Sequence, residues 1–335
     1  MNISRNLLVL LAKLLFLFSL SSYADELSEY ERCQLKQLNS SLENISIEQI
    51  NHLCNSLKNK DTTHSNGALS LRLKEERKTA FNPYVITPHL MNYILPITYT
   101  TGYNEAVYAD SPLADASQRF EAKMQISFKV PLNYASMFTE NDALFFGMTM
   151  QSWWQVYSSV HSKPFRETNY QPEIFYFLPV NWQLLNTSTS LIFGLEHQSN
   201  GRELPISRSW NRIYMGILVE HPDWVLNLQP WWRIPENQNN DTSDPDRDDN
   251  PDIAYYMGYF ELKGAYRIDQ NMQTQFLIRH NINTHKGAFE IGFTFPIWGR
   301  LRGYLQYFNG YGESLIDYNN AQQRLGLGIA LTDLL

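Results

Sequence analysis

The stretch Ser188-Thr189-Ser190-Leu191-Ile192-Phe193-Gly194-Leu195-Glu196-His197-Gln198-Ser199 alternates along its length. Leu191, Phe193, Leu195, His197 and Ser199 fall on one side, and Ile192, Gly194, Glu196 and Gln198 on the other. A period of two marks a β-strand whose two faces meet different surroundings. The segment from Trp210 to His221 repeats the pattern, with Ile213, Met215, Ile217 and Val219 opposed to Arg212, Tyr214, Gly216 and Glu220. Both segments reach the ~10 residues that a tilted strand needs to cross a bilayer.

Working outward, twelve such segments follow residue 81, at 84–99, 119–131, 143–158, 173–182, 188–199, 210–221, 224–233, 253–267, 271–283, 287–296, 301–309 and 324–332. Bacterial barrels require an even number, with long outer loops and short inner turns. Long polar stretches follow the first, third, fifth and seventh segments, while 183–187 and 222–223 are short. A soluble β-sandwich also alternates, but its strands average ~5–6 residues. The expected fold is therefore all-β, a twelve-stranded antiparallel transmembrane β-barrel over residues 80–335. Twenty Tyr, 18 Phe and 8 Trp beside a mean hydropathy of -0.38 suit a chain whose apolar residues alternate instead of clustering.

Upstream, Arg5, the apolar run from Leu7 to Leu20 and Ser22-Tyr23-Ala24 read as a secretory leader over 1–24. Lys13 and the polar residues after Leu20 keep the run short of the ~20 residues of a spanning helix. Residues 25–79 are poor in aromatics and carry a helical spacing at Ile45, Ile47, Ile50 and Leu53, as expected of a short N-terminal periplasmic arm. Cys33 and Cys54 lie in that arm, where an oxidising compartment permits a disulfide; two free thiols are the alternative. The net charge of -7 argues against nucleic acid as a partner.

The chemistry concentrates where the fifth segment ends. If His197 faces Asn211 across the pair, Leu195 faces Ile213 and Phe193 faces Met215, so one register satisfies every apolar pair on the outward face. That register collects Ser199, His197 and Asn211 on the outer wall, beside the long loop 200–209. Ser199 is then a candidate nucleophile, His197 its base, and Asn211 the group that orients the imidazole. A neutral Asn also avoids an unpaired carboxylate beside lipid. The Gly201 N–H is a candidate oxyanion donor, because a residue without a side chain lets a substrate carbonyl approach. A site facing lipid implies a lipid substrate. Asp241, Asp244, Asp246, Asp248, Asp249 and Asp252 supply hard oxygen ligands suited to Ca²⁺ at the same end, or else form a solvated acidic loop. Trp153 and Trp154 are expected in the interfacial aromatic belt.

His197-Gln198-Ser199-Asn200-Gly201-Arg202 and Ser207-Arg208-Ser209-Trp210-Asn211-Arg212 together resemble the outer-membrane phospholipase A family. Ser152-Trp153-Trp154-Gln155, the run from Pro164 to Tyr170, Asp248 to Ile253 and Gly310 to Tyr318 extend the resemblance over most of the chain beyond residue 80. The resemblance implies a Ca²⁺-dependent hydrolase of sn-1 and sn-2 acyl esters of phospholipids and lysophospholipids, working by Ser-His-Asn chemistry and regulated by homodimerisation. It implies calcium contacts from the Arg202 carbonyl, the Ser207 hydroxyl, Asp249 and the partner subunit's Ser162. The chain departs from the family at Met150, where a seam glutamine is expected, and at Leu204, where an aspartate is expected. A non-catalytic pore is the rival reading, predicting conductance and no sulfonyl fluoride labelling of Ser199.

Overall fold

A computed structural model of the chain describes residues 33–36, 49–51, 54, 67–82, 84–109, 113, 117–159, 163–184, 187–237, 247–299 and 301–332. The leader expected at 1–24, Ser162, Asp241, Asp244 and Asp246 lie outside the described residues. Residues 1–63 and 64–335 form two compact units. In the first, Cys33 and Cys54 are joined by a disulfide, with their Cα atoms 5.9 Å apart.

The second unit is built on strands β1 (Thr87–Pro88), β2 (Tyr93–Thr100), β3 (Phe120–Pro131), β4 (Ala143–Trp154), β5 (Phe165–Leu184), β6 (Thr187–Ser199), β7 (Ser209–His221), β8 (Trp224–Ile234), β9 (Phe260–Arg267), β10 (Gln273–Asn281), β11 (Lys286–Trp298), β12 (Leu301–Gly310) and β13 (Gln322–Ala330). β2 to β13 pair antiparallel in chain order, and β13 returns to β2 through pairs such as Leu325 with Tyr99. Twelve strands therefore close into a barrel, which leaves no row of unpaired backbone groups facing hydrocarbon. The two-residue β1 is an accessory pair on β3.

Outward side chains along β6 and β7 are apolar and uncovered: Leu195 is 55% exposed and Phe193, Ile213, Met215 and Ile217 also lie open. In water such a band would be a large exposed apolar surface; in a membrane it is the lipid contact. The register is the one the apolar pairs require, with His197 opposite Asn211, Leu195 opposite Ile213 and Phe193 opposite Met215. The inner face locks it a second time. Glu196 and Arg212 form a buried ion pair, and the Arg212 guanidinium lies 4.1 Å from the Trp210 ring centre and 5.0 Å from that of Trp231. Next to them Gly194 faces Tyr214, whose ring occupies the space that a Cβ would need.

Charge is kept inside the barrel and paired there. Arg166 bonds Glu121 at 3.0 Å and Asp317 at 2.9 Å, while Arg324 bonds Glu313 at 2.6 Å and Glu121 at 2.7 Å. Glu313 to Tyr318, between β12 and β13, turn into the lumen and are buried. At the short-turn end, helix α1 (Ala68–Arg77) packs on the barrel: the Ser70 N–H donates to Glu220 at 2.9 Å and Lys129 pairs with Glu76 at 2.8 Å. This helix falls in the stretch that the sequence assigns to the arm.

Three expectations are corrected. β5 begins at Phe165 and not at residue 173, because its first turns carry Arg166, Glu167 and Asn169 into the lumen, and inward polar residues read as loop. The segment 253–267 is not one strand: Ile253–Met257 is a short helix, α2, whose Ile253 and Met257 are buried with Phe175, Trp210, Trp231 and Leu315. Four-residue spacing puts those two side chains on one helical face, and a short apolar run does not distinguish helix from strand. Trp153 is not in the aromatic belt, since adjacent strand residues point to opposite faces; it is buried, with Nε1 donating to Glu313 at 3.3 Å, while Trp154 stacks on Phe165.

Replacing Glu196 with Leu should destabilise the barrel by about 3–5 kcal/mol, because Arg212 is left buried without its partner. The double replacement Glu196→Leu with Arg212→Met should recover most of that loss, as read from urea unfolding in detergent micelles.

Candidate active site

The site grows from the β6–β7 register. Strand pairing sets His197 against Asn211, and the imidazole Nδ1–H donates to Asn211 Oδ1 at 2.9 Å. An amide oxygen only accepts, so the Nδ1 proton is held there and Nε2 keeps its lone pair. Ser199 lies two residues further along the same face of β6, opposite Ser209 on β7 and Tyr170 on β5. Among the described residues no hydrogen bond joins Ser199 to His197. Such contacts are commonly loose until substrate arrives.

Beyond Ser199 the chain turns sharply. Gly201 sits at a φ of 61°, a left-handed conformation that favours glycine, and a Cβ there would come 3.6 Å from the Tyr170 ring. The loop 200–208 is organised by Asn200, a buried residue that sequence reasoning passed over. Its Oδ1 accepts from Arg208 N at 2.9 Å and Arg202 N at 3.3 Å, and its Nδ2 donates to the Ile206 carbonyl at 2.8 Å. One side chain thereby ties both ends of the loop together, an inward position that the alternation of β6 extrapolates to residue 200. The Arg202 guanidinium donates to the Phe165 carbonyl at 3.0 Å, anchoring the turn to β5.

The acidic residues divide by role. Asp248 accepts from Arg233 at 2.6 Å and from the Asn250 N–H at 3.0 Å, and Asp252 accepts from the Tyr318 hydroxyl at 2.5 Å. Both hold the loop in shape. Asn250 in turn accepts from the Ser209 N–H at 3.0 Å, fastening this loop to the start of β7. Asp249 alone meets another expected calcium contact, accepting the Ser207 hydroxyl. No three His, Cys, Asp or Glu among the described residues cluster as a metal site. The convergence of a hydroxyl and a carboxylate beside the Arg202 loop is nonetheless a hard-oxygen set of the kind Ca²⁺ takes.

Sequence reasoning also missed Glu236, whose Oε1 accepts from Asn211 Nδ2 at 2.8 Å. Burial, and then the neighbouring charge of Asp248, holds its carboxyl above the usual range. No periodicity marks it, because it lies beyond the end of β8.

A family model described as Phospholipase A1 matches residues 69–331. The chain is 37% identical over 254 residues to the Phospholipase A1 of Escherichia coli K12, covering 76% of this chain and 83% of that one, and 36% identical over 275 residues to that of Proteus vulgaris, covering 82% and 90%. Its structure superposes on outer membrane phospholipase A from Escherichia coli with a TM-score of 0.71 at 34% identity, covering 81% of this chain and 99% of that one. The calcium-bound dimer of the Salmonella typhi outer membrane phospholipase gives the same values. With the closed barrel and the outer-wall site already in hand, the chain belongs to the phospholipase A1 family of bacterial outer-membrane ester hydrolases.

Proposed function

We propose that this phospholipase works as a calcium-dependent serine hydrolase, with Ser199 as nucleophile, His197 as base, Asn211 as orienter and Gly201 as an oxyanion donor. The observation that carries the reading is the 2.9 Å bond from His197 to Asn211 on the wall that faces lipid, with Ser199 on the same face. His197 Nε2 takes the Ser199 proton as Oγ attacks the acyl carbonyl, and the Gly201 N–H donates to the oxygen that gains charge. His197 then returns the proton to the departing alcohol oxygen of the lipid. Water, deprotonated by the same nitrogen, cleaves the acyl-serine and restores the site.

The residues fit a calcium ion. Ser207, Asp249 and the Arg202 carbonyl would hold it, with the partner subunit's Ser162 completing the set in a homodimer. When bound, it supplies Lewis-acid stabilisation of negative charge on the reacting acyl oxygen. The Salmonella typhi relative, solved as a dimer with bound calcium, supports extending both features to this chain. Met150 faces outward beside Ile126 on the wall where the seam is expected, so an apolar contact stands where the family places an amide. Because the site opens sideways to the bilayer, either acyl chain of a phospholipid, or the single chain of a lysophospholipid, can present its ester; A1, A2 and lysophospholipase activities follow from one geometry.

Ser199→Ala should lower fatty-acid release from mixed micelles by about a thousandfold or more while leaving a heat-modifiable barrel, since removal of a triad member leaves only residual catalysis. Undiminished hydrolysis by this variant would refute the serine mechanism. Chelation of Ca²⁺ should abolish turnover, and Asp249→Ala should raise the Ca²⁺ concentration for half-maximal activity by roughly tenfold or more. Activity indifferent to chelator would remove the calcium assignment and leave the serine site standing.

A further inference from the structure

We infer that Glu236 is a positioning residue for the reaction, fixing the orientation of the Asn211 amide so that its oxygen and not its nitrogen faces His197. The inference rests on the Ser-His-Asn reading proposed above. His197 on β6, Asn211 on β7 and Glu236 just beyond β8 form a row across three adjacent strands at the rim of the barrel. Their contacts are 2.9 Å from His197 Nδ1 to Asn211 Oδ1 and 2.8 Å from Asn211 Nδ2 to Glu236 Oε1. Ile234 is the strand partner of Asn211, and Glu236 lies two residues past it, the spacing that returns a side chain to the same face.

The chemistry needs such a group. An amide presents an oxygen and an NH₂ of nearly equal shape, and the two orientations have opposite consequences for a histidine base. With Oδ1 toward the ring, Nδ1 carries the proton and Nε2 is free to accept one from Ser199. With Nδ2 toward the ring, Nδ1 must accept, the proton moves to Nε2, and the base is lost. A carboxylate accepts and never donates, so Glu236 admits only the productive orientation: turning the amide over would set Asn211 Oδ1 against a carboxylate oxygen. A hydroxyl or amide in its place would tolerate both.

Glu236 is itself anchored. The residue after it, Asn237, pairs with Arg247 in an isolated parallel bridge, and the Asp248 N–H donates to the Asn237 carbonyl at 2.8 Å. Arg233 lies 3.8 Å from Glu236 Oε2 while bonding Asp248 at 2.6 Å. The acidic loop thus acquires a use apart from any metal: it ties down the segment that carries Glu236. The placement also puts the negative charge that a triad usually carries on its third member one side chain further away, off the apolar wall and at the rim.

The test compares wild type, Glu236→Ala, Glu236→Met, Glu236→Gln, Asn211→Ala and the double variant Asn211→Ala with Glu236→Ala, each as full-length protein in calcium-containing mixed micelles. Fatty-acid release gives kcat and KM; the rate of Ser199 labelling by a long-chain sulfonyl fluoride reports on the base independently of turnover. Heat-modifiable mobility checks folding, and Met keeps the side chain's length should Ala not fold. Loss of a hydrogen bond to a charged group predicts that Ala and Met lower kcat and labelling roughly tenfold with KM unchanged. Gln, which retains an acceptor oxygen but tolerates both orientations of the Asn211 amide, should recover only part of both, and the double variant should be no slower than Asn211→Ala alone. Wild-type kcat and labelling in folded Glu236→Ala or Glu236→Met would overturn the proposal, as would losses that multiply with that of Asn211→Ala. Wild-type activity in Asn211→Ala would instead sink the Ser-His-Asn reading on which it rests.

Discussion

Everything at the site depends on the register between β6 and β7. Four facing pairs hold it from two sides: Leu195 with Ile213 and Phe193 with Met215 toward lipid, Glu196 with Arg212 and Gly194 with Tyr214 toward the lumen. A slip of one residue would carry Glu196 and Arg212 to the hydrocarbon and the apolar set inward, with a cost on both faces at once. The same register that satisfies the membrane therefore delivers His197 to Asn211. No separate device is needed to assemble that pair, and the stability of the barrel and the geometry of the site are two consequences of one alignment.

The distribution of charge follows from the same constraint. Arg166, Glu121, Asp317, Arg324 and Glu313 are all buried in the lumen, each with an oppositely charged neighbour within 3.0 Å. The outer wall carries none of this. The proposed machinery on the wall is neutral at Ser199 and Asn211, and its ionic support, Glu236, Arg233 and Asp248, stands at the rim, where the three side chains pair with one another and with loop backbone. On the proposed serine mechanism, formal charge is thus kept near enough to polarise the site and outside the hydrocarbon.

Reading the chain recovers the strands wherever the lumen face and the lipid face differ in polarity. It fails where they do not. The opening turns of β5 are polar through Arg166, Glu167 and Asn169, and nothing local says that their surroundings are other barrel side chains instead of solvent. Ile253 to Met257 is apolar and short, and only its packing with Phe175, Trp210 and Trp231 reveals a helix. Trp153 and Trp154 are equivalent as letters, yet one is buried against Glu313 and the other stacks on Phe165.

Alternation is a local property of the chain, so residues 188–221 carried the direction of the wall and the meeting of His197 with Asn211, and twelve such segments with their loop lengths carried the barrel; the family resemblance added the expected calcium contacts, which no spacing suggests. The loops have no period. That Asn200 closes the turn after Ser199, that Asp249 and not Asp248 or Asp252 reaches Ser207, and that Glu236 holds the far end of the Asn211 amide were decided by tertiary structure. Each is a contact between segments with no repeating pattern, and closure of the sheet is what brings those segments to one rim.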